Sequence, residues 1–129
     1  MALTDAQLHF FRTYGYFVLR GFLGKNDLAQ LGRDLDDAMA IQYPLKRNDG
    51  SERLWTRMTD ETTPFTAALM EDRRFLTPAQ QICGDDVLGL GVDVNRYVGS
   101  TGWHPDTKDE NQIACKYIFY LDPVDADTG

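Results

Sequence analysis

Between Val87 and Val98 the chain alternates in character. Leu88, Leu90, Val92, Val94 and Val98 fall on one parity, and Asp93, Asn95 and Tyr97 fall on the other. Successive side chains of an extended strand point to opposite faces, so this period of two predicts a strand with one apolar and one polar face. The apolar face has to be covered by a second layer. The polar face, which includes an aromatic ring, suits a barrel or sandwich strand lining a pocket. It equally suits an antiparallel strand that turns this side to solvent.

The rest of the chain supplies elements that could do the covering. Thr4 is placed to cap a first helix, and Gln7 at the third helical position completes a capping box. Leu3 and Leu8 form a hydrophobic staple across that cap. Leu8, Phe11 and Phe10 form the buried side, and Gly15 closes the helix in the left-handed conformation. Tyr16 to Phe22, aromatic and β-branched between glycines, reads as a short strand. Asn26 or Asp27 caps a second helix that carries Leu28, Leu31, Leu35 and Met39 on one stripe, with Asp34, Asp36 and Asp37 facing solvent.

From Gln42 to Thr63 the sequence turns polar and irregular, with a turn signal at Asn48-Asp49-Gly50. A loop this long is either a lid over a site or a surface excursion pinned by Trp55. Thr63-Pro64 and Thr77-Pro78 each read as a helix start, a cap followed by proline at the first helical position, and Gly84 ends the second of these helices. Phe65, Leu69, Phe75 and Ile82 are their core contacts. Gly99 to Gly102 forms a turn, and Ile113 to Leu121, rich in Ile, Tyr and Phe, is the last strand.

A length of 129 residues predicts a single domain spanning residues 1–129. Hydrophobic residues at 43% argue against disorder. A formal charge of −7 repels phosphate backbones and speaks against a nucleic-acid partner. Arg53, Arg57, Arg73 and Arg74 are scattered candidates for a local basic patch. No apolar run is long enough to span a bilayer, and the first residues lack the basic and apolar regions of a signal peptide, so a cytoplasmic location is expected. Cys83 and Cys115 lack a paired spacing and are expected to be buried free thiols.

The chemistry concentrates in Trp103-His104-Pro105-Asp106, just after the Gly99–Gly102 turn. In extended backbone, residues two apart share a face, so the His104 imidazole and the Asp106 carboxylate point the same way. Such a pair can hold adjacent positions on one metal ion. It suits ferrous iron, where two His and one carboxylate occupy one face and leave the other open. The competing reading is a turn histidine whose aspartate accepts a backbone N–H. His9, the other histidine, lies in the first helix with no second ligand at helical spacing and reads as a surface residue.

Two blocks of the chain resemble the phytanoyl-CoA dioxygenase family. One is the opening Leu3-Thr-Asp-Ala-Gln-Leu-His-Phe-Phe-Arg-Thr-Tyr-Gly-Tyr-Phe-Val-Leu-Arg-Gly-Phe-Leu23. The other is Gly102-Trp-His-Pro-Asp106 followed by Ile118-Phe-Tyr-Leu-Asp-Pro-Val124, in the order and spacing of that family. The resemblance implies a mainly β fold, a double-stranded β-helix or jelly-roll with N-terminal helices packed on it. It implies iron(II), 2-oxoglutarate and dioxygen, and hydroxylation of an aliphatic carbon of a small-molecule or acyl substrate. His104 and Asp106 would be the first two iron ligands. Asn95 and Tyr97 would be pocket groups for 2-oxoglutarate, and Lys116 would offset its negative charge. Trp103 and Trp55 would contact substrate.

The family's second histidine ligand and its arginine for the far carboxylate of 2-oxoglutarate lie beyond the Asp-Pro-Val block, past Asp127-Thr128-Gly129. A jelly-roll needs about eight strands, and alternation gives about four here. The β-helix is therefore expected to be incomplete, cut before its C-terminal strands and completed by a further portion of the protein or by a second chain. The alternative function is a non-catalytic binding or assembly module of the same fold. A cupin-like metal hydrolase or isomerase would want more histidines than this chain has.

Overall fold

The structure is a computed structural model that describes residues 1–47, 49–84, 86–106, 108–109, 111 and 113–126. Its elements in chain order are helix α1 (Asp5–Tyr14), helix α2 (Lys25–Gln42), strand β1 (Leu54–Arg57), helix α3 (Pro64–Ala68), a single 3-10 turn (Leu69–Glu71), helix α4 (Arg73–Cys83) and strand β2 (Asp93–Arg96).

The mainly β jelly-roll expected from the sequence is not what forms. Helices make up 39% of the structure, and among the described residues two strands form one small antiparallel sheet. Leu54 pairs with Arg96, Trp55 with Asn95, Thr56 with Val94 and Arg57 with Asp93. Of the long strand expected over 87–98, only Asp93–Arg96 is paired. Leu88 and Leu90 are 74% and 77% exposed, so the apolar parity is uncovered there. Residues 16–22 and 113–121 join no sheet either. They do keep a period of two in burial: Tyr117 and Phe119 turn inward while Ile118 and Tyr120 are exposed. Alternation reports which side chains face the core. It does not supply the neighbouring backbone that a ladder requires.

The spine of the packing is α2. One end of its stripe, Leu31, meets Leu69 and Phe75, with Phe22, Leu23, Phe65, Tyr117 and Phe119 around them. The other end, Leu35, Ala38 and Met39, meets Leu54 and Met58 under the sheet, with Tyr43 and Val94. Leu28, expected on the stripe, is exposed. Phe75 centres the first cluster, with the rings of Phe22, Tyr117 and Phe119 edge-on at 5.2, 5.1 and 5.7 Å. This edge-to-face geometry sets positive ring edges on negative faces. Gly89 passes so close to α4's approach that an added Cβ would lie 2.6 Å from the Met70 Cβ.

Helix α1 forms as its local chemistry dictates. The Thr4 hydroxyl accepts the Gln7 N–H at 3.3 Å, and Gln7 accepts the Thr4 N–H at 2.9 Å. Gly15 closes the helix at φ 78°, with its N–H on the Phe11 carbonyl. Leu3 is buried and Leu8 and Phe11 half-buried, whereas Phe10 is exposed. Gln81 of α4 ties this end down, accepting the Leu3 N–H at 2.6 Å and donating to the Leu3 carbonyl at 3.1 Å.

Several boundaries differ from expectation. Helix α2 starts one turn early, at Gly24, and Asp27 reaches back to accept the Gly24 N–H at 3.1 Å. Helix α4 starts at Asp72, whose side chain accepts the Arg74 N–H at 2.7 Å, and it runs through Pro78. The signal at Thr77-Pro78 is thus overridden by a stronger cap at Asp72, further upstream, and by burial of the proline ring. The Thr63-Pro64 start does hold. At the Asn48-Asp49-Gly50 turn, Asn48 lies outside the described residues, and Gly50 takes φ 78°. Asp127, Thr128 and Gly129 also lie outside the described residues.

Arg74 bridges two carboxylates, with Nη1 2.6 Å from Asp27 and Nη2 2.8 Å from Asp72. Its hydrogen bonds hold both carboxyls below the ordinary range, with the Gly24 N–H adding to the effect at Asp27. A carboxyl with a depressed folded-state pKa contributes stability above its unfolded value, near pH 4. That stability is lost as pH falls through the folded value. The melting temperature is therefore expected to drop below about pH 4, less steeply in Arg74→Met. Melting curves from pH 6 to pH 2 that superpose for the two proteins would refute this.

Thr63 is fully buried, and its Oγ1 has no hydrogen-bond partner among the described residues. Although it sits at the N-cap of α3, its side chain makes no capping bond. Thr63→Val keeps the shape and removes the orphaned hydroxyl, so urea unfolding is expected to show a gain of about 1 kcal/mol. A loss of similar size would mean that the hydroxyl is bonded in solution.

Candidate metal centre

Strand β2 delivers the chain to the site. Beyond Arg96, Tyr97 hydrogen-bonds through its hydroxyl to that of Thr101, spanning the turn at Gly99, which takes φ 81°. Only glycine adopts that value without strain. The turn ends at Gly102, whose carbonyl lies 2.8 Å from His104 Nδ1.

A carbonyl only accepts, so Nδ1 carries the proton and donates it. The Nε2 lone pair of the neutral ring is then free, the state in which a histidine binds a metal. That Nε2 lies 3.9 Å from Asp106 Oδ1. The expectation that the two side chains share a face is met in this geometry. Ligands in adjacent octahedral positions, each about 2.1 Å from an ion, lie about 3 Å apart. Closing the pair onto one ion thus takes roughly 1 Å of movement, within reach of two exposed side chains. Their side chains are 59% and 62% exposed.

Lys116 comes from the 113–121 segment. Its Nζ straddles the carboxylate, 3.2 Å from Asp106 Oδ1 and 3.3 Å from Oδ2. Its ammonium thus stands where a cation would sit. A metal ion taking this carboxylate would have to displace it. Trp103 is fully exposed next to His104. No group of three or more His, Cys, Asp or Glu side chains suited to a metal forms among the described residues.

Asn95, Tyr97 and Trp55 gather elsewhere, on the outer face of the sheet. The register sets Trp55 opposite Asn95. The Trp55 indole N–H donates to Asp93 at 2.6 Å, and Asn95 donates to the same oxygen at 3.2 Å. Arg53 donates to the Asn95 side-chain oxygen Oδ1 at 2.8 Å through Nε and stacks on the Tyr97 ring at 4.3 Å. The shared parity of Asp93, Asn95 and Tyr97 is thus real, but the face is open, with Tyr97 51% exposed. Arg53, a candidate for a basic patch, and Asp93, on the polar parity, belong to this cluster. Their parity with Trp55 and Asn95 was the available signal, but only the strand register shows that they meet.

Two cavities, of about 300 and 230 Å³, lie away from His104 and Asp106. The larger lies between α1 and the end of α4, lined by Leu8, Phe11, Arg12, Ile82 and Ile113 among others. No helix among the described residues is long and apolar enough to cross a membrane. No family model, curated protein or solved structure matches this chain, so the family resemblance rests on the two blocks of residues that carry it.

Proposed function

We propose that this chain carries part of the iron(II) centre of a 2-oxoglutarate-dependent dioxygenase acting on an aliphatic carbon of a small-molecule or acyl substrate. The observation that supports it is the tautomer and aim of His104: Nδ1–H is held by the Gly102 carbonyl, and Nε2 faces Asp106 at 3.9 Å. Iron(II), when bound, supplies the open positions at which a keto acid and dioxygen meet.

The residues divide the remaining work. Gly102 orients the imidazole, and His104 and Asp106 offer one nitrogen and one oxygen donor. Lys116, 3.2 Å from Asp106, would be the positive group for the carboxylate of 2-oxoglutarate. Trp103 offers an aromatic wall on the substrate side. Such a centre would need a third protein ligand, and no group of three forms among the described residues. Asn95, Tyr97 and Trp55, expected to contact 2-oxoglutarate and substrate, cluster on the sheet face and take no part in this reading.

A non-catalytic binding module is the second reading, favoured by the openness of the pair and by the ammonium already seated on Asp106. Anaerobic titration with iron(II), or with cobalt(II) followed by its visible bands, separates the two. One-to-one binding that is lost in His104→Ala supports the metal centre. Absence of one-to-one binding, with no decarboxylation of 2-oxoglutarate by the intact protein, leaves the non-catalytic module.

A further inference from the structure

The two cysteines, about thirty positions apart in sequence, meet in space. Cys83 is the last residue of α4, and Cys115 faces inward from the 113–121 segment. Neither is in a disulfide, and both are half-buried. The segment is clamped against α4 on both sides of Cys115. On one side, Ile113 and Ala114 line a cavity together with Ile82. On the other, the Tyr117 hydroxyl donates to the Phe75 carbonyl at 2.8 Å, and its ring packs edge-on against Phe75. Between these clamps the Cys83 sulfur lies near enough to the Cys115 thiol to act on its ionisation.

We propose that Cys83 and Cys115 form a redox-modification site that closes to an intrachain disulfide when the protein meets a peroxide. One thiolate attacks the O–O bond of hydrogen peroxide, giving a sulfenic acid and hydroxide, which takes up a proton to become water. The second sulfur attacks the sulfenic sulfur, the S–S bond forms, and the departing hydroxide leaves as a second water. Two thiols lose two electrons and two protons, and the peroxide is reduced to two waters.

The surroundings favour closure over further oxidation. A sulfenic acid with a thiol in contact condenses before a second peroxide arrives. Burial and the neighbouring Cys83 sulfur push the Cys115 thiol up to about 11, so closure is expected to speed up as pH rises above neutrality. The bond would join the C-terminal end of α4 to a segment that no sheet holds, at the point where the clamps already bring them together. Closing a loop of about thirty residues constrains the unfolded chain far more than it changes the folded one.

The test uses the reduced full chain and hydrogen peroxide near stoichiometry. Digestion with trypsin without reductant separates the two cysteines, because residues 75–96 and 109–116 are distinct peptides. The expected product is a species that joins those two peptides and is lighter by the mass of two hydrogens. It should melt on the order of 10 °C higher than the reduced protein, reversibly with dithiothreitol. Neither Cys83→Ser nor Cys115→Ser should show the rise. Disulfide-linked dimers as the main product, or sulfinic and sulfonic acids with the peptides unlinked, would overturn the proposal. The peptide map of the unmutated chain decides this even if a variant fails to fold.

Discussion

Asp34→Ala is expected to cost about 3 kcal/mol of stability, the largest loss from any single polar side chain here. Asp34 lies on the buried side of α2. Its Oδ2 accepts both the backbone N–H and the hydroxyl of Thr66, each at 2.7 Å, and Thr66 is fully buried. This one oxygen fixes α3 against α2. Alanine leaves two donors unbonded in the interior, and no water reaches them without opening the helix pair. Each orphaned buried donor costs about 1–3 kcal/mol.

The companion variants make the cause readable. Asp34→Asn keeps an acceptor oxygen and should lose only about 1 kcal/mol. Thr66→Val removes one donor but not the backbone N–H, and should also lose less than Asp34→Ala. Urea unfolding of the four proteins measures the differences. A loss below 1 kcal/mol for Asp34→Ala would mean that the two helices are held by apolar contact alone.

The second large effect concerns the metal. His104→Ala and Asp106→Ala are each expected to weaken divalent-ion binding by at least about tenfold, since each removes one donor of the His104–Asp106 pair. Lys116→Ala should act in the opposite direction. It removes an ammonium that lies 3.2 Å from Asp106 and competes for the same oxygens. Anaerobic cobalt(II) titrations of the three variants beside the unmutated chain carry the comparison. If Lys116→Ala weakened binding as much as Asp106→Ala, the ion would not be sitting on this carboxylate. In the intact protein, keto-acid decarboxylation that survives both His104→Ala and Asp106→Ala would remove the dioxygenase reading.

Parts of this structure were legible because their causes lie within a few residues of one another. The cap of α1 needs only Thr4 and Gln7, three positions apart. The stripe Leu31, Leu35 and Met39 needs only the helical period, and the shared face of His104 and Asp106 only an alternating backbone. The jelly-roll was not legible in this sense. It came from the resemblance and from runs of alternating residues, and alternation is equally satisfied by segments that rest on a helix without pairing. Tyr117 and Phe119 do this against Phe75. Asp34 was misplaced for a related reason. Three residues after Leu31 and four before Ala38, it borders the apolar stripe on a helix wheel, and only the arrival of Thr66 makes its burial favourable.

What the sequence by itself determined is therefore local: helix caps, left-handed glycines, the parity of side chains, and a histidine two residues from an aspartate. Each follows from backbone sterics and from hydrogen bonds that span a single turn. What tertiary structure alone decided is who meets whom. It paired Leu54–Arg57 with Asp93–Arg96, set Lys116 on Asp106, seated Thr66 on Asp34 and brought Cys83 to Cys115. These contacts depend on how two hydrophobic clusters share the one face of α2, a balance of buried surfaces summed over the chain that no short window of residues contains.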